Sequence, residues 1–397
     1  MHAPSFGGLL VVAVIALGAP LVVGLFPVIR VPAVVLEIVA GIAVGPSGFG
    51  WVEVDVPIQV VSLVGLAFLL FLAGLEIDVA RLRGPVLRSA GLGYAATLAL
   101  GVAVGLAFGA AGWVKSPLLI AIALSATSLG LVVPVLKDAG RVDAPVGQLT
   151  IAGASVADFA AVVLLSLLFS ESSGSTGGRL LLLGLFVVLA TLTVLALTRL
   201  QRSARLEMVI VRLQDTTAEI RVRFAVVLLV GFVAMAGRLG LETILGAFLA
   251  GAILGMVDRD TMTHPNFRLK LEAIGYGFVI PVFFVSSGLR FDLRALLDAP
   301  SALARVPLFL LALLVVRAVP AALYASTVGR RQALAAGLLQ ATSLPFLVTA
   351  TSIGVTLGEI TPVTAAGLVS AGLLSVIAFP LLAVTLLRPA REPAAAT

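Results

Sequence analysis

Apolar stretches of about twenty residues recur along the whole chain, separated by short segments that contain charges, proline or glycine. A helix of about this length is needed to cross the hydrocarbon core of a bilayer. Of the 397 residues, 60% are hydrophobic and 12% are charged, and a water-soluble core of this size cannot bury so much apolar surface. The sequence therefore predicts an all-α polytopic membrane protein with the lipid bilayer as its surroundings.

The composition also excludes several other classes of protein. No cysteine is present, which excludes disulfides and thiolate chemistry. The two histidines, His2 and His264, lie at the N-terminus and in a polar loop, and the sequence contains no HExxH zinc motif. Basic residues are scattered among loops rather than gathered in one patch, and no nucleophile–base pair suggests an intramembrane enzyme. We therefore expect no nucleic-acid partner, no cofactor and no enzymatic activity.

We predict about thirteen membrane-spanning helices from apolar runs that end at charges, proline or glycine. They cover residues 6–26, 32–46, 57–75, 86–111, 117–137, 146–169, 179–199, 221–239, 241–257, 271–289, 303–327, 332–357 and 362–387. Counted on alternate sides of this arrangement, nineteen lysines and arginines fall on one side and six on the other, with Arg317 inside a span. The positive-inside rule then predicts a multi-pass protein of the cell membrane with its N-terminus outside and its C-terminus in the cytoplasm.

Three motifs recur in the same order in the two halves of the chain. EIVAGIAVGPSG resembles LGAFLAGAILG, FLAGLEIDVARL resembles FVSSGLRFDLRAL, and LSATSLGLVVPVL resembles LQATSLPFLVTAT. In these pairs Gly41 matches Gly251, and Gly74 matches Gly288. The members of each pair lie seven predicted spans apart, an odd number, so the two copies have opposite orientations in the membrane. The sequence therefore predicts two inverted six-helix repeats joined by the crossover span 179–199.

Asp158 is the only acidic residue between Gly147 and Ser170, and it falls inside a predicted span. A charge at the centre of a spanning helix costs about 2.5 to 3.5 kcal/mol on insertion scales, and such residues usually face a cavity, a partner or an ion pathway. A carboxyl group that titrates in the physiological range lets a proton and a metal ion compete for the same position. We predict that Asp158 binds both in turn. A permanent structural pair with an arginine is the alternative.

The span before Asp158 contains residues that disturb helices. Gly130 and Pro134 predict a break near its middle, and a broken helix can offer free carbonyls and partial charges to an ion. In the second half, the span 332–357 holds Thr342, Ser343 and Pro345 at the corresponding place. A helix that is merely kinked for packing is the alternative.

Hydroxyl groups near Asp158 are candidate ligands for a cation. Monovalent cations favour oxygen, and Ser125, Thr127 and Ser128 offer hydroxyl groups in the span before Asp158. Ser155 lies three residues before Asp158 and therefore shares its helix face. We predict a monovalent-cation site made by Asp158 and Thr127 with these three serines. The alternative is that the hydroxyls bond to their own backbone, as is common in membrane helices.

Four motifs of the chain resemble those of the monovalent cation:proton antiporters, specifically the second bacterial branch that includes the Kef-type potassium exporters. They are VPAVVLEIVAGIAVGPSGFGW, FLLFLAGLEIDVARLR, SATSLGLVVPVLKDAG and GASVADFAAVVLLSLLF. The resemblance covers the chain from about Phe6 to Leu387. It implies a sodium/proton antiporter-like fold, usually dimeric, in which a mobile core moves against a scaffold and two broken helices cross near the ion site. It also implies a basic residue near Asp158, and Arg317 occupies that place.

The resemblance further implies a division of the chain into scaffold and transport parts. The scaffold would comprise residues 1–84 and 220–302, and the transport core residues 85–170 and 303–388. Residues 171–219 would form the crossover helix and a cytoplasmic link, and residues 389–397 a cytoplasmic tail.

Two departures from the family pattern bear on the transported ion. Electrogenic members carry an Asp-Asp pair at the site, whereas Ala157 precedes Asp158 in this chain. One carboxylate favours electroneutral exchange. Kef-type proteins usually carry a Gln-Asp pair and a Gly-Glu-Phe motif in the second broken helix, where this chain reads QATSLPFLV. The cation is therefore left open between sodium and potassium.

The expected function is the exchange of Na⁺ or K⁺ for H⁺ by alternating access, with a role in pH homeostasis. A channel-like or sensory ion module and a sodium-coupled organic-anion symporter are the alternatives. Two further charged residues have open roles. Arg317 either binds a helix end or tunes Asp158 directly, and Glu37 either lines an ion path or packs near the end of its span.

Overall fold

The computed structural model describes residues 6–26, 32–76, 84–169, 176–201, 212–213, 216–257, 266–298 and 300–387. The helices of the first half are α1 (Gly7–Leu25), α2 (Ala33–Val44), α3 (Val56–Leu75), α4 (Gly84–Ala110), α5 (Pro117–Ser125), α6 (Leu129–Asp138), α7 (Pro145–Leu168) and α8 (Thr176–Gln201). Those of the second half are α9 (Ile220–Arg238), α10 (Thr243–Val257), α11 (Phe267–Ile274), α12 (Ile280–Leu289), α13 (Leu293–Leu297), α14 (Pro300–Leu303), α15 (Arg305–Ala318), α16 (Ala325–Val328), α17 (Arg330–Gln340), α18 (Pro345–Thr356) and α19 (Pro362–Leu387). A π-helical turn joins α11 to α12, and a 3₁₀ turn precedes α16.

Several of these helices, alone or joined end to end, are long and apolar enough to cross a membrane. Within the described residues eight qualify by length and composition, or nine if the bent pair of α17 and α18 forms one span. Four shorter apolar helices coincide with further predicted spans: Ala33–Val44, Pro117–Val133, Gly184–Ala196 and Thr243–Val257. The predicted all-α, multi-pass class is confirmed, and the count of thirteen spans stays a prediction.

The chain forms two compact units, each built from both halves of the sequence. The first unit comprises Met1–Val79 and Val162–Leu293, and the second Ala80–Ala161 and Arg294–Thr397. Their roles as scaffold and transport core stay predictions. The predicted cytoplasmic link within 171–219 lies partly outside the described residues, and the predicted tail 389–397 lies wholly outside them.

In the first unit, α2 and α12 pack through two glycines. A Cβ added to Gly41 would lie 2.3 Å from the carbonyl oxygen of Val285, and one added to Gly288 would lie 2.2 Å from that of Ile38. Neither position has room for a side chain. Small residues allow helix backbones to approach closely in lipid, where no hydrophobic force drives helices together.

A second glycine contact joins α3 and α10 in the same unit. A Cβ added to Gly74 would lie 2.1 Å from the carbonyl oxygen of Phe248, and one added to Gly251 would lie 1.8 Å from that of Phe71. These are the positions that match Gly288 and Gly41 in the repeat. The two contacts are therefore related by the repeat, since each pairs one helix from either half of the chain.

Both predicted broken helices are interrupted, and they belong to the second unit. The first ends as α5 at Ser125 and resumes as α6 at Leu129; the second ends as α17 at Gln340 and resumes as α18 at Pro345. The bend between α17 and α18 is 44°. Pro345 is the first residue of α18, where its missing N–H needs no partner.

The first break precedes Gly130 and Pro134 rather than occurring at them. Residues 126–128 are not helical, and both Gly130 and Pro134 lie inside α6. The predicted break near the middle of this span is therefore present, and only its attribution to these two residues is wrong. The break forms where the amides of Thr127 and Ser128 bond to other segments instead of turning back to their own helix.

Candidate functional site

Asp158 lies on α7 and bonds directly to the first break. The Thr127 N–H donates to Asp158 Oδ1 at 2.9 Å, and the carboxylate is partly buried. In an unbroken helix this amide would bond to the carbonyl of Ala123, one turn earlier. The carboxylate therefore occupies the place of a helical acceptor and fixes α7 against the broken helix.

Thr127 also connects the first break to the second broken helix. Its hydroxyl donates to the carbonyl oxygen of Gln340 at 2.9 Å and accepts a short hydrogen bond from Nη2 of Arg317. The amide and the hydroxyl of one residue thus link Asp158, Gln340 and Arg317. Thr127 itself is buried.

Arg317 is 2% exposed and lies on α15. Its Nε donates to the carbonyl oxygen of Gln340 at 3.2 Å, and its Nη1 to the hydroxyl of Thr97 at 3.3 Å. Gln340 ends α17, where the free carbonyls carry a partial negative charge that a guanidinium stabilises. In the described contacts Arg317 therefore binds a helix end, one of its two predicted roles, and it reaches Asp158 through Thr127.

The two breaks bond directly to each other. The Ser128 N–H donates to the carbonyl oxygen of Thr342 at 2.9 Å, and the Leu344 N–H donates to the hydroxyl of Ser128 at 3.1 Å. The Ser343 N–H donates to the hydroxyl of Ser375 on α19 at 3.2 Å. Ser375 therefore does for the second break what Asp158 does for the first, with a neutral group in place of a carboxylate.

The remaining predicted hydroxyls differ in their contacts. Ser125 donates to the carbonyl of Ile122 at 2.9 Å, and Thr342 to that of Leu338 at 3.2 Å, so both bond to their own helix as the alternative foresaw. Ser155 is buried on α7, one turn before Asp158. The hydroxyl of Ser343 is buried without a hydrogen-bond partner in the described part of the chain.

Several residues around the breaks were not predicted. Gln340 donates from Nε2 to the carbonyl of Thr150 at 3.4 Å and to the phenol of Tyr324 at 3.3 Å. A Cβ added to Gly153 on α7 would lie 2.3 Å from Gln340 Nε2 and 2.6 Å from the Tyr324 oxygen.

Two features of the sequence could have indicated these residues around the breaks. Gln340 stands in the second repeat where Ser125 stands in the first, and the chain has only three tyrosines. One of them, Tyr94 on α4, has its hydroxyl 3.2 Å from that of Ser125.

Glu37 is not among these residues. It is buried on α2 and belongs to the first unit, whereas Asp158 and every residue just described around the breaks belong to the second. Its role in an ion path stays a prediction.

A different carboxylate has an altered pKa outside the membrane-spanning segments. Glu76 follows the end of α3, and its Oε1 lies 3.7 Å from Nη2 of Arg268. Its Oε2 is buried without a hydrogen-bond partner among the described residues. Burial raises the pKa of Glu76 to about 7, although Arg268 acts in the opposite direction.

A carboxylate inside an apolar helix, beside two broken helices that bond to each other at their breaks, is the arrangement typical of inverted-repeat secondary transporters. The model of the transmembrane sodium/hydrogen exchanger family matches residues 13–388, and the chain belongs to this family.

Curated relatives agree with this assignment. The putative Na⁺/H⁺ antiporter YjbQ of Bacillus subtilis is 31% identical over 367 residues, which are 88% of this chain and 58% of that protein. The Na⁺/H⁺ antiporter of Enterococcus hirae is 31% identical over 277 residues, which are 66% of this chain and 67% of that protein. This chain thus matches a little over half of the length of the Bacillus relative.

A solved structure has the same fold. The sodium proton antiporter MjNhaP1 of Methanocaldococcus jannaschii superposes with a TM-score of 0.62 over 96% of this chain and 98% of that one, at 18% sequence identity. The predicted antiporter family and the sodium/proton antiporter-like fold are therefore confirmed. The Kef-type branch, the homodimer, the type of membrane and the orientation of the termini stay predictions.

Proposed function

We propose that this protein exchanges a monovalent cation, Na⁺ or K⁺, for H⁺ across a membrane, with Asp158 as the group that the two ions share. The observation that carries the proposal is the bond from the Thr127 amide at the first break to the Asp158 carboxylate. It combines a titratable group with the free ends of a broken helix in an apolar environment. The names of the relatives support cation:proton exchange as the reaction.

The reaction follows from competition at one carboxylate. A proton on Asp158 removes the charge that attracts the cation, and a bound cation favours loss of the proton. Oxygen ligands would come from Asp158, nearby hydroxyls and the carbonyls at the helix ends. Since Ala157 leaves one carboxylate at this position, each cycle exchanges one cation for one proton and moves no net charge.

Arg317 and Thr127 have supporting roles in this proposal. The Arg317 guanidinium stays on the end of α17 throughout the cycle, because its contacts with Gln340 and Thr97 are buried. Thr127 holds Asp158 at a fixed position relative to that charge. Access would alternate as the transport core moves as a rigid body against the scaffold.

Proteoliposomes that contain the full chain and an internal pH indicator test the proposal. Addition of NaCl, KCl or LiCl to the wild type should change the internal pH for at least one cation, and Asp158→Asn should abolish this change. Asp298→Asn, an exposed carboxylate of the same unit, should behave like the wild type. Wild-type exchange by Asp158→Asn would overturn the proposal.

A further inference from the structure

The structure assigns a role to a residue pair beside Asp158. We propose that the Tyr94 phenol and the Ser125 hydroxyl supply neutral oxygen ligands next to the Asp158 carboxylate and thereby set which monovalent cation is preferred. This inference rests on the proposed function and names the specificity-determining residues of the same site.

The hydrogen bonds of the pair leave oxygen atoms available. Ser125 has one hydroxyl proton, which it donates to the carbonyl of Ile122 at 2.9 Å. The 3.2 Å contact between the two hydroxyls must then be donated by Tyr94. The phenolic oxygen therefore keeps its acceptor capacity, and Ser125 keeps part of its own. Both side chains are buried, at 9% and 0% exposure.

The pair lies at the C-terminal end of α5, where free carbonyls favour a cation. The amides of Thr127 and Ser128 bond to Asp158 and Thr342, so the carbonyls of Ala123 and Leu124 lose their helical partners. These carbonyls form the negative end of the α5 dipole. The Ser125 hydroxyl, which contacts the Tyr94 phenol, lies two residues before Thr127, whose amide bonds to Asp158.

The second repeat shows how the negative end of a helix dipole is neutralised by a protein side chain. At the matching end of α17 the charge is supplied by a fixed guanidinium, since Arg317 donates to the carbonyl of Gln340. At the end of α5 the corresponding groups are oxygens, those of Ser125, Tyr94 and Asp158. Arg317 also bonds to the hydroxyl of Thr127 just past the end of α5, so it contacts both breaks. The end of α5 differs in carrying the titratable Asp158 carboxylate, where a mobile cation can replace a proton.

The chemistry of these oxygens specifies the ligand. One carboxylate together with hydroxyl, phenol and carbonyl oxygens suits a hard monovalent cation that has lost part of its water. Neutral protein oxygens carry no net charge, as water carries none. They differ from the water molecules they replace around the cation in their number and position. They therefore discriminate among Li⁺, Na⁺ and K⁺ by size.

The test uses the reconstituted full chain and measures KM and Vmax for NaCl, KCl and LiCl from initial rates of internal pH change. Tyr94→Phe removes one oxygen and keeps the ring. We expect it to raise the KM of the preferred cation about tenfold and to change the ratio of KM values among cations, with Vmax within about twofold. Ser125→Ala should act in the same direction, and it carries the test if Tyr94→Phe does not fold.

A matched control and a binding measurement separate the outcomes. Tyr276→Phe removes an exposed phenol of the first unit and should leave the KM ratios unchanged. Cation-dependent protection from thermal unfolding should require higher cation concentrations in Tyr94→Phe than in the wild type. Unchanged KM ratios and unchanged protection in Tyr94→Phe and Ser125→Ala would overturn this inference alone. Absence of cation-dependent proton movement in the wild type would overturn the proposed function.

Discussion

Thr127 is the residue that links Asp158 to Gln340 and Arg317 in the candidate site. Its amide donates to Asp158, its hydroxyl donates to the carbonyl of Gln340, and the same hydroxyl accepts from Arg317. Threonine fits here because a hydroxyl can donate and accept at once. A single residue therefore couples the titratable group, through its amide, to the fixed charge, through its hydroxyl.

Thr127→Val should separate these functions because valine keeps the shape of threonine and lacks its hydroxyl. The buried guanidinium then loses an acceptor, which costs about 1 to 3 kcal/mol. We expect a lower unfolding temperature in detergent and slower exchange in proteoliposomes. Thr127→Ser restores the hydroxyl and should recover most of both properties. A valine variant as stable and active as the wild type would show that the hydroxyl is dispensable.

Glu76 should make the stability of the protein depend on pH. Because its pKa is about 7 in the folded state and near 4.5 when unfolded, the folded state holds the proton over the interval between these values while the unfolded state has lost it. Its contribution to stability is fully present below pH 4.5 and is lost as the pH rises through about 7.

Glu76→Gln should remove this dependence. Above pH 7 the variant should be more stable than the wild type, by at most about 3 kcal/mol, and the two should converge in acid. Thermal unfolding in detergent from pH 4 to pH 9 measures the difference. Glu53→Gln, an exposed carboxylate before α3, is the control and should follow the wild-type curve. Parallel curves of unfolding temperature against pH for the wild type and Glu76→Gln would contradict the raised pKa of Glu76.

At the scale of elements, the second unit is held together by the contacts at its two interrupted helices. Each break diverts backbone amides to a neighbouring segment, and the breaks bond to one another through Ser128, Thr342 and Leu344. Helix α7 joins this arrangement through Asp158 and through the close approach of Gly153 to Gln340. The position of the Asp158 carboxylate therefore depends on three helices and not only on α7, the helix that carries it.

Gly153→Ala should disturb this arrangement. Its Cβ would lie 2.3 Å from Gln340 Nε2, so Gln340 and Tyr324 must move, and we expect a loss of at least about 1 kcal/mol together with reduced exchange. Gly91→Ala on α4 meets nothing within 4 Å and should be neutral or stabilising by up to about 1 kcal/mol, since alanine favours helix. Thermal unfolding and initial exchange rates compare the two variants. Equal unfolding temperatures and equal exchange rates for Gly153→Ala and Gly91→Ala would contradict the close packing inferred at Gly153.

The sequence was sufficient for the class of elements and for the central residue, because both depend on local patterns. Apolar runs predict spanning helices, repeated motifs predict the paired breaks, and a lone Asp158 in an apolar span stands out. The first break was predicted near the middle of its span, where it lies, but its cause was mispredicted, since the break depends on distant acceptors for two amides rather than on Gly130 or Pro134. Gln340, Tyr94 and Gly153 were missed for the same reason, because tertiary contacts alone bring them to the site.

At the scale of the whole molecule, the inverted repeat explains both units. In the first unit it produces two glycine contacts of the same kind, between α2 and α12 and between α3 and α10. In the second unit it produces two breaks that differ in charge, with Asp158 at one and Ser375 at the other. The repeat accounts for the presence of two breaks. The two breaks differ in having a carboxylate at one and a hydroxyl at the other, which leaves one titratable group.

Coupling through one carboxylate makes a prediction about charge. If one cation replaces one proton on Asp158, an imposed membrane potential should not drive exchange. The initial rate of the internal pH change, measured in proteoliposomes with and without a potassium diffusion potential, should be the same within error when NaCl supplies the gradient. A rate that rises with the potential would show that net charge moves across the membrane in each cycle.

The most direct test of the shared-carboxylate account is the simultaneous measurement of cation flux and proton flux in proteoliposomes that contain the wild type or Asp158→Asn. The account predicts equal fluxes of the two ions in opposite directions for the wild type and loss of both fluxes together in the variant. Cation flux that continues in Asp158→Asn, or proton flux that persists without the cation, would contradict it.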